Sequence, residues 1–208
     1  MNRKRRGLYI TATASDKIAA TMNPSDRSEL LNLLARESYF ERELKLTSGR
    51  GSNYYIDCKR TLYLPLGAHL AGEAVLEIVK TAGVAQLGGM AAGALPVTDA
   101  AIAAAYRNRV ELRGFFVRKE TKAHGLQQLI EGAFQKGLKT AVIDDTITTG
   151  GSSLQAVAAM REAGANVTHA IAMVERGEGA ADAFARAGLE YRWVFTAEEI
   201  RAAAKNQK

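Results

Sequence analysis

A single cysteine, Cys58, stands in 208 residues. It can form no internal disulfide, and no Cys/His cluster has zinc-ligand spacing, so the fold is expected to need neither staple and to belong to a reducing, cytoplasmic compartment. No apolar run approaches the length that crosses a bilayer. Residues 7–15 are too short and polar for the apolar core of a signal peptide, so no membrane association is expected. Proline is scarce, at three residues, and low-complexity segments and repeats are missing. With 47% hydrophobic and 24% charged residues, disorder as a default is excluded. A chain of this length buries roughly 70% of its unfolded surface, enough for a core without a structural metal.

A large charge of one sign is also missing from most of the chain. The formal net charge is +6, but Arg3, Lys4, Arg5 and Arg6 supply four of those charges, leaving a near-neutral remainder. Residues 1–23, without amphipathic period, read as a basic, mobile extension, and residues 24–208 as one domain. A nucleic-acid partner is not expected from this balance, although the basic run keeps open a different class of protein, a regulator that binds RNA.

From Asp26 a capping pattern with Glu29 precedes Leu30, Leu31, Leu33 and Leu34 at helical spacing, which predicts a first helix to about Ser38. Leu44 and Leu46 alternate with Lys45 and Thr47. The turn Ser48-Gly49-Arg50-Gly51 then leads into Asn53-Tyr54-Tyr55-Ile56-Asp57, a hairpin signature. Beyond Pro65, helical segments near 67–81, 97–108, 152–163 and 196–204 alternate with short apolar runs at 86–90, 113–117, 140–144, 167–174 and 191–195. That alternation predicts an α/β fold with a central parallel sheet flanked by helices, preceded by a small helix-and-hairpin hood to about residue 64.

The most informative stretch is Thr140-Ala141-Val142-Ile143-Asp144-Asp145-Thr146-Ile147-Thr148-Thr149-Gly150-Gly151-Ser152-Ser153. A buried strand delivers two carboxylates at its C-terminal end, the edge where open α/β sheets bind ligands. A hydroxyl- and glycine-rich loop then opens a helix, and its backbone, hydroxyls and helix dipole suit a phosphate. Two carboxylates would repel a bare phosphate. A sugar diol, or a hydrated Mg²⁺ held mostly through water and substrate, resolves the conflict, so the pattern asks for a phosphorylated sugar. No Gly-Lys-Ser/Thr follows the glycines and no triple-glycine fingerprint opens a helix, which disfavours nucleoside triphosphates and dinucleotides.

This segment resembles the phosphoribosyl-diphosphate signature of type I phosphoribosyltransferases. The resemblance implies that fold, with Mg²⁺ as cofactor. It also implies that Asp144 and Asp145 hold the ribose hydroxyls while Thr146, Ile147, Thr148, Thr149, Gly150, Gly151 and Ser152 surround the 5′-phosphate. Three further segments resemble the orotate branch. Arg118-Lys119-Glu120-Thr121-Lys122-Ala123-His124-Gly125, followed by Leu129-Ile130-Glu131-Gly132, is similar to its catalytic loop. Arg118, Lys119, Lys122 and His124 then neutralise pyrophosphate, with Lys122, His124, Asp144 and Asp145 as the catalytic set. The hairpin resembles its substrate hood, with Tyr55 and Ile56 flanking a planar base and Lys45 in place of a lysine that some relatives carry at Thr47. Val174-Glu175-Arg176-Gly177 ends a strand on Arg176, which with Thr148 would hold orotate, the arginine meeting its carboxylate. Ala92 and Gly93 lie in a small-residue loop similar to the family's pyrophosphate loop.

The likeness spans about residues 25–195. It implies transfer of the 5-phosphoribosyl group from phosphoribosyl diphosphate to orotate, giving orotidine 5′-phosphate and pyrophosphate in pyrimidine biosynthesis. It further implies a homodimer whose loop 118–131 reaches the partner's site. A phosphoribosyltransferase for a purine or another pyrimidine remains the second enzyme reading.

Overall fold

The structure is a computed structural model that describes residues 22–45, 51–119 and 129–207, with backbone alone at 42–45 and 51–53. Helix α1 (Pro24–Glu37) begins two residues before the predicted start. Asn23, not Asp26, caps it, its side chain accepting from the Ser25 N–H at 2.9 Å. Pro24 explains the shift, because a first-turn proline has no N–H to satisfy and its fixed φ suits the helix. Met22, assigned by sequence to the extension, is buried in the core. Residues 1–21 lie outside the described set.

Strands β1 (Tyr39–Lys45) and β2 (Gly51–Ile56) pair antiparallel as the expected hairpin, with Tyr39 opposite Ile56 and Glu41 opposite Tyr54. The register shifts between Glu41 and Leu44. A short helix, α2 (Lys59–Leu62), and then α3 (Pro65–Ala82) carry the chain to the main sheet. Buried Ser38 and Thr61 share a hydroxyl–hydroxyl hydrogen bond of 2.7 Å, tying the hairpin's root to α2.

Among the described residues the main sheet has six strands in the order β5-β4-β3-β6-β7-β8. They are β3 (Gln86–Met90), β4 (Arg113–Val117), β5 (Ile130–Gly132), β6 (Lys139–Ile147), β7 (Asn166–Glu175) and β8 (Glu190–Thr196). All neighbours are parallel except the β4–β5 pair. The predicted strands are present. The antiparallel edge β5 was not anticipated, because three residues of Ile-Glu-Gly carry no period.

Helices α4 (Ala94–Arg107), α5 (Gly151–Glu162), α6 (Ala180–Arg186) and α7 (Ala197–Lys205) complete the fold. Ala141 and Ile143 of β6 pack into a core with α1, α3, α4 and α7, whereas Val142 joins a second core with α5 and α6. This alternation of successive side chains is what a strand covered on both faces requires. From β3 the chain moves outward to β4 and β5, then returns to place β6 on the other side of β3. The reversal opens a crevice at the C-terminal ends of β3 and β6, where the acid pair stands.

Candidate active site

Strand β6 runs past its pairing with β3, whose register is Gln86 with Thr140 through Gly88 with Val142. Asp144 and Asp145 therefore stand where the β3 loop turns away. Being consecutive on a strand, they serve different neighbours. Asp144 lines a cleft of about 320 Å³ together with Thr146, Ile147, Thr148, Thr149, Gly150, Gly151 and Ser152. Asp145 meets Lys59, whose Nζ lies 3.3 Å from its Oδ2 and 2.8 Å from Asp57 Oδ1. Lys59 lies outside the segments that carry the sequence resemblance. Only its position beyond the hood strand could have drawn attention to it.

The acids are held by the backbone as well. Asp144 Oδ1 accepts from the Asp145 N–H at 3.0 Å, and Asp145 Oδ1 from the Thr146 N–H at 2.7 Å. Burial pushes the Asp144 carboxyl up to about 7, and the neighbouring Asp145 charge pushes the same way. Burial also raises Asp145, against the opposing pull of Lys59. Burial disfavours the Lys59 ammonium, but the hydrogen bond and charge of Asp57 and the charge of Asp145 outweigh it, so its pKa is raised. Cys58 is buried beside them, 3.3 Å from Thr146 Oγ1, with its thiol pushed far up by burial first and by Asp145 second. It is no nucleophile at neutral pH.

Opposite the acids, the loop Ala91-Ala92-Gly93 leaves β3 with a cis Ala91–Ala92 peptide. The Ala91 N–H donates to Val117 O at 2.9 Å, joining this loop to the end of β4. A Cβ on Gly93 would lie 2.4 Å from Asp144 Oδ1 and 3.0 Å from Asp145 Oδ1, so only glycine leaves both carboxylates in place. Gly150, with φ +80° before α5, holds a backbone conformation that favours glycine, and a Cβ there would press on the Phe184 ring at 3.0 Å. Thr148 and Ser152 face the cleft, and the N-terminus of α5 opens onto it.

The remaining predicted residues divide. Arg176 is buried, its side chain 6% exposed, with Nε 2.9 Å from Glu178 Oε1 and its guanidinium 5.0 Å from the Tyr54 ring centre. Tyr54, one residue before the pair expected to flank a base, is thus the hood aromatic that meets this arginine. Tyr55 is 40% exposed, whereas Ile56 is 4% exposed and packed in the core. The Ile56 side chain is therefore withdrawn from any ligand, and only its backbone is left for one. The reason is the hairpin's alternation, which sends Tyr54 and Ile56 to one face and Tyr55 to the other.

Ile147 needs the same correction, since its side chain lies in the α5/α6 core and its carbonyl accepts from the Arg176 N–H. The Thr146 N–H is committed to Asp145 and its hydroxyl faces Cys58. Arg118 pairs with Glu131 at 2.9 Å across β4 and β5, and Lys119 is exposed at the strand's end. Lys122 and His124 lie outside the described residues. Of Lys45 only the backbone is described.

Among the described residues no three His, Cys, Asp or Glu side chains converge on a potential metal position. Two hard carboxylates beside a phosphate cleft are instead the partial donor set that Mg²⁺ accepts when water and substrate phosphates supply the rest. The residues fit the ion in that form. Nor is any described helix long and apolar enough to cross a membrane.

This strand order, with the acid pair and phosphate-loop motif at its switch point, is that of a type I phosphoribosyltransferase. An orotate phosphoribosyltransferase from Rhodopirellula baltica is 41% identical over 181 residues, which cover 84% of this chain and 94% of that protein. The Mycobacterium tuberculosis H37Rv orotate phosphoribosyltransferase, solved with Fe(III) dicitrate, superposes with a TM-score of 0.75 at 37% identity, covering 84% of this chain and 98% of that one. The same M. tuberculosis enzyme in complex with 5-phospho-α-D-ribosyl 1-diphosphate gives a TM-score of 0.72 at 34% identity, over 85% and 99% of the two chains. The chain belongs to the orotate phosphoribosyltransferase family. No protein-family model matches it.

Proposed function

We propose that this chain joins orotate to the 5-phosphoribosyl group of phosphoribosyl diphosphate, releasing pyrophosphate and supplying orotidine 5′-phosphate for pyrimidine biosynthesis. The observation that carries this reading is the end of β6, which turns Asp144 into a hydroxyl-lined cleft while the adjoining strand sets Arg176 against the hood aromatic Tyr54. A phosphorylated sugar and a planar carboxylate-bearing base call for those two neighbouring environments.

In this reading Thr148, Thr149, Gly150, Gly151, Ser152 and the start of α5 take the 5′-phosphate. Asp144 and Asp145 accept from the ribose hydroxyls and, with water and substrate, hold Mg²⁺. Bound there, the ion supplies neutralising charge to the pyrophosphate. The loop at Ala92 and Gly93 lets that group approach the backbone closely, and Arg118, Lys119, Lys122 and His124 stabilise it as it leaves. Arg176 and Thr148 orient orotate, beside the Tyr54 ring that the arginine already meets. Arg176 then exchanges or shares its Glu178 partner with the orotate carboxylate. Ring N1 forms the new bond to the anomeric carbon as its N–H proton passes to the departing pyrophosphate, and the carbon–oxygen bond breaks with its electron pair leaving on that group. The enzyme's task is orientation and charge stabilisation, with no covalent protein intermediate.

A homodimer with loops shared between subunits is the assembly we infer, supported by the exposed apolar side chains of Tyr63, Leu64 and Leu66, which lie where the hood ends. The cytoplasm is the compartment we infer, supported by the unpaired thiol of Cys58. Base-dependent pyrophosphate release with Mg²⁺ tests the activity, comparing orotate with adenine, hypoxanthine and uracil. Release confined to orotate is expected, and release with a purine instead refutes the assignment.

A further inference from the structure

The segment after the hood strand is laid along the end of β6. The Asp57 N–H donates to Ser38 O at 2.9 Å, and the Lys59 N–H meets Asp57 Oδ1 at 3.3 Å. Cys58 and Thr61, both buried, anchor the turn, the first against Thr146 and the second against Ser38. Two successive residues, Cys58 and Lys59, therefore reach two successive residues of β6, Thr146 and Asp145. Lys59 is the charged member of this seam. Its ammonium bridges Asp57 on the hood side and Asp145 on the sheet side.

A bridge at this place has a use. Asp145 is buried next to a second carboxylate, Asp144, which lines a cleft suited to a polyanion. Without a cation, the Asp145 carboxylate would repel Asp144 and the substrate alike, and its second oxygen would have no ion-pair partner here. With Lys59, one oxygen is held by the Thr146 N–H and the other by an ammonium, which leaves the carboxylate a single orientation toward the ribose. The bridge also joins the element that covers the base to the strand that holds the sugar.

We propose that Lys59 is a positioning residue for phosphoribosyl transfer, fixing the Asp145 carboxylate through the Asp57–Lys59–Asp145 bridge. The inference rests on the proposed reaction, and the two are separable. In Lys59→Met, kcat/KM for phosphoribosyl diphosphate should fall by about 30-fold or more, the scale expected when a reacting group loses its orientation. KM for orotate should stay within about twofold. Lys59→Arg, which keeps the charge and reach, should recover most of the loss, and its melting temperature controls for folding. Calorimetric binding of phosphoribosyl diphosphate separates positioning from direct contact with the substrate. Lys59→Met should weaken binding about tenfold in the wild-type background and less than about twofold in Asp145→Asn, because the bridge is already broken there. Equal weakening in both backgrounds would mean that Lys59 touches the substrate itself, and would overturn the proposal. So would an active wild type with an unimpaired Lys59→Met variant, whereas a wild type without orotate-dependent turnover would overturn the reaction.

Discussion

Gly93→Ala separates the site from the fold with one methyl group. The backbone at Gly93 has φ −61° and ψ −43°, which alanine adopts freely, so no conformational penalty falls on the substitution. Its cost is steric and local. The new Cβ would sit 2.4 Å from Asp144 Oδ1 and 3.0 Å from Asp145 Oδ1. A normal contact needs about 3.4 Å or more, so the Asp144 carboxylate must retreat by about 1 Å. A misplacement of that size is worth about 100-fold in rate, or about 2.7 kcal/mol of transition-state stabilisation. Because a carboxylate can yield by rotating while packed backbone cannot, thermal stability should hardly change, by about 1 kcal/mol or less. The assay is steady-state orotidine 5′-phosphate formation beside a thermal melt. Activity within threefold of wild type would refute the reasoning, since the acids would then have no required position. A melting temperature lowered by more than about 4 °C would refute it differently, by showing that backbone rather than carboxylate gives way.

Replacing both acids, Asp144→Asn with Asp145→Asn, should abolish turnover yet raise stability at pH 8 by about 1–3 kcal/mol, because burial of charge is what raises their pKa values. The sign follows from Asp144: with its folded pKa near 7 against 3.8 when unperturbed, its stabilising contribution is full below pH 3.8 and is lost as pH rises through 7. Stability of the wild type relative to the double variant should therefore decline over that window in pH-dependent melts. Over the same range kcat/KM should fall as pH drops below about 7, since the free enzyme then loses the Asp144 charge; a profile flat from pH 6 to 8 would contradict it. Arg176→Gln should raise KM for orotate by about 30-fold or more, the cost of breaking a charge-assisted pair, while binding of phosphoribosyl diphosphate measured without orotate stays unchanged. Mixing inactive Lys122→Ala with inactive Asp144→Asn/Asp145→Asn protein should restore activity if loops are shared across a dimer, and silence after demonstrated subunit exchange would exclude sharing.

Local order in the sequence determined what could be read from it. The run at 86–90 coincides with β3, buried throughout because a strand covered on both faces needs an uninterrupted buried stretch whatever its neighbours, and the run at 113–117 coincides with β4, where Phe115 and Val117 are buried. The acid pair, the loop and the start of α5 are contiguous between residues 144 and 152, so their joint placement at a strand end follows from chain connectivity. Tertiary structure decided the rest. Whether Tyr54 or Tyr55 meets Arg176 depends on which hairpin face packs on the core, and a one-residue change of register would exchange them. Lys59 and Asp145 are 86 positions apart, and Arg27 and Glu199, which pin α1 to α7 at 2.6 Å, are 172 apart. Lys59 meets Asp145 only because the strand order turns back between β3 and β6 and the hood folds back over that crevice, and Arg27 meets Glu199 only because α1 packs on α7. Periodicity along a chain reports which face of an element is buried. It carries no record of which distant element will cover that face, and that is where the bridge beneath the hood was decided.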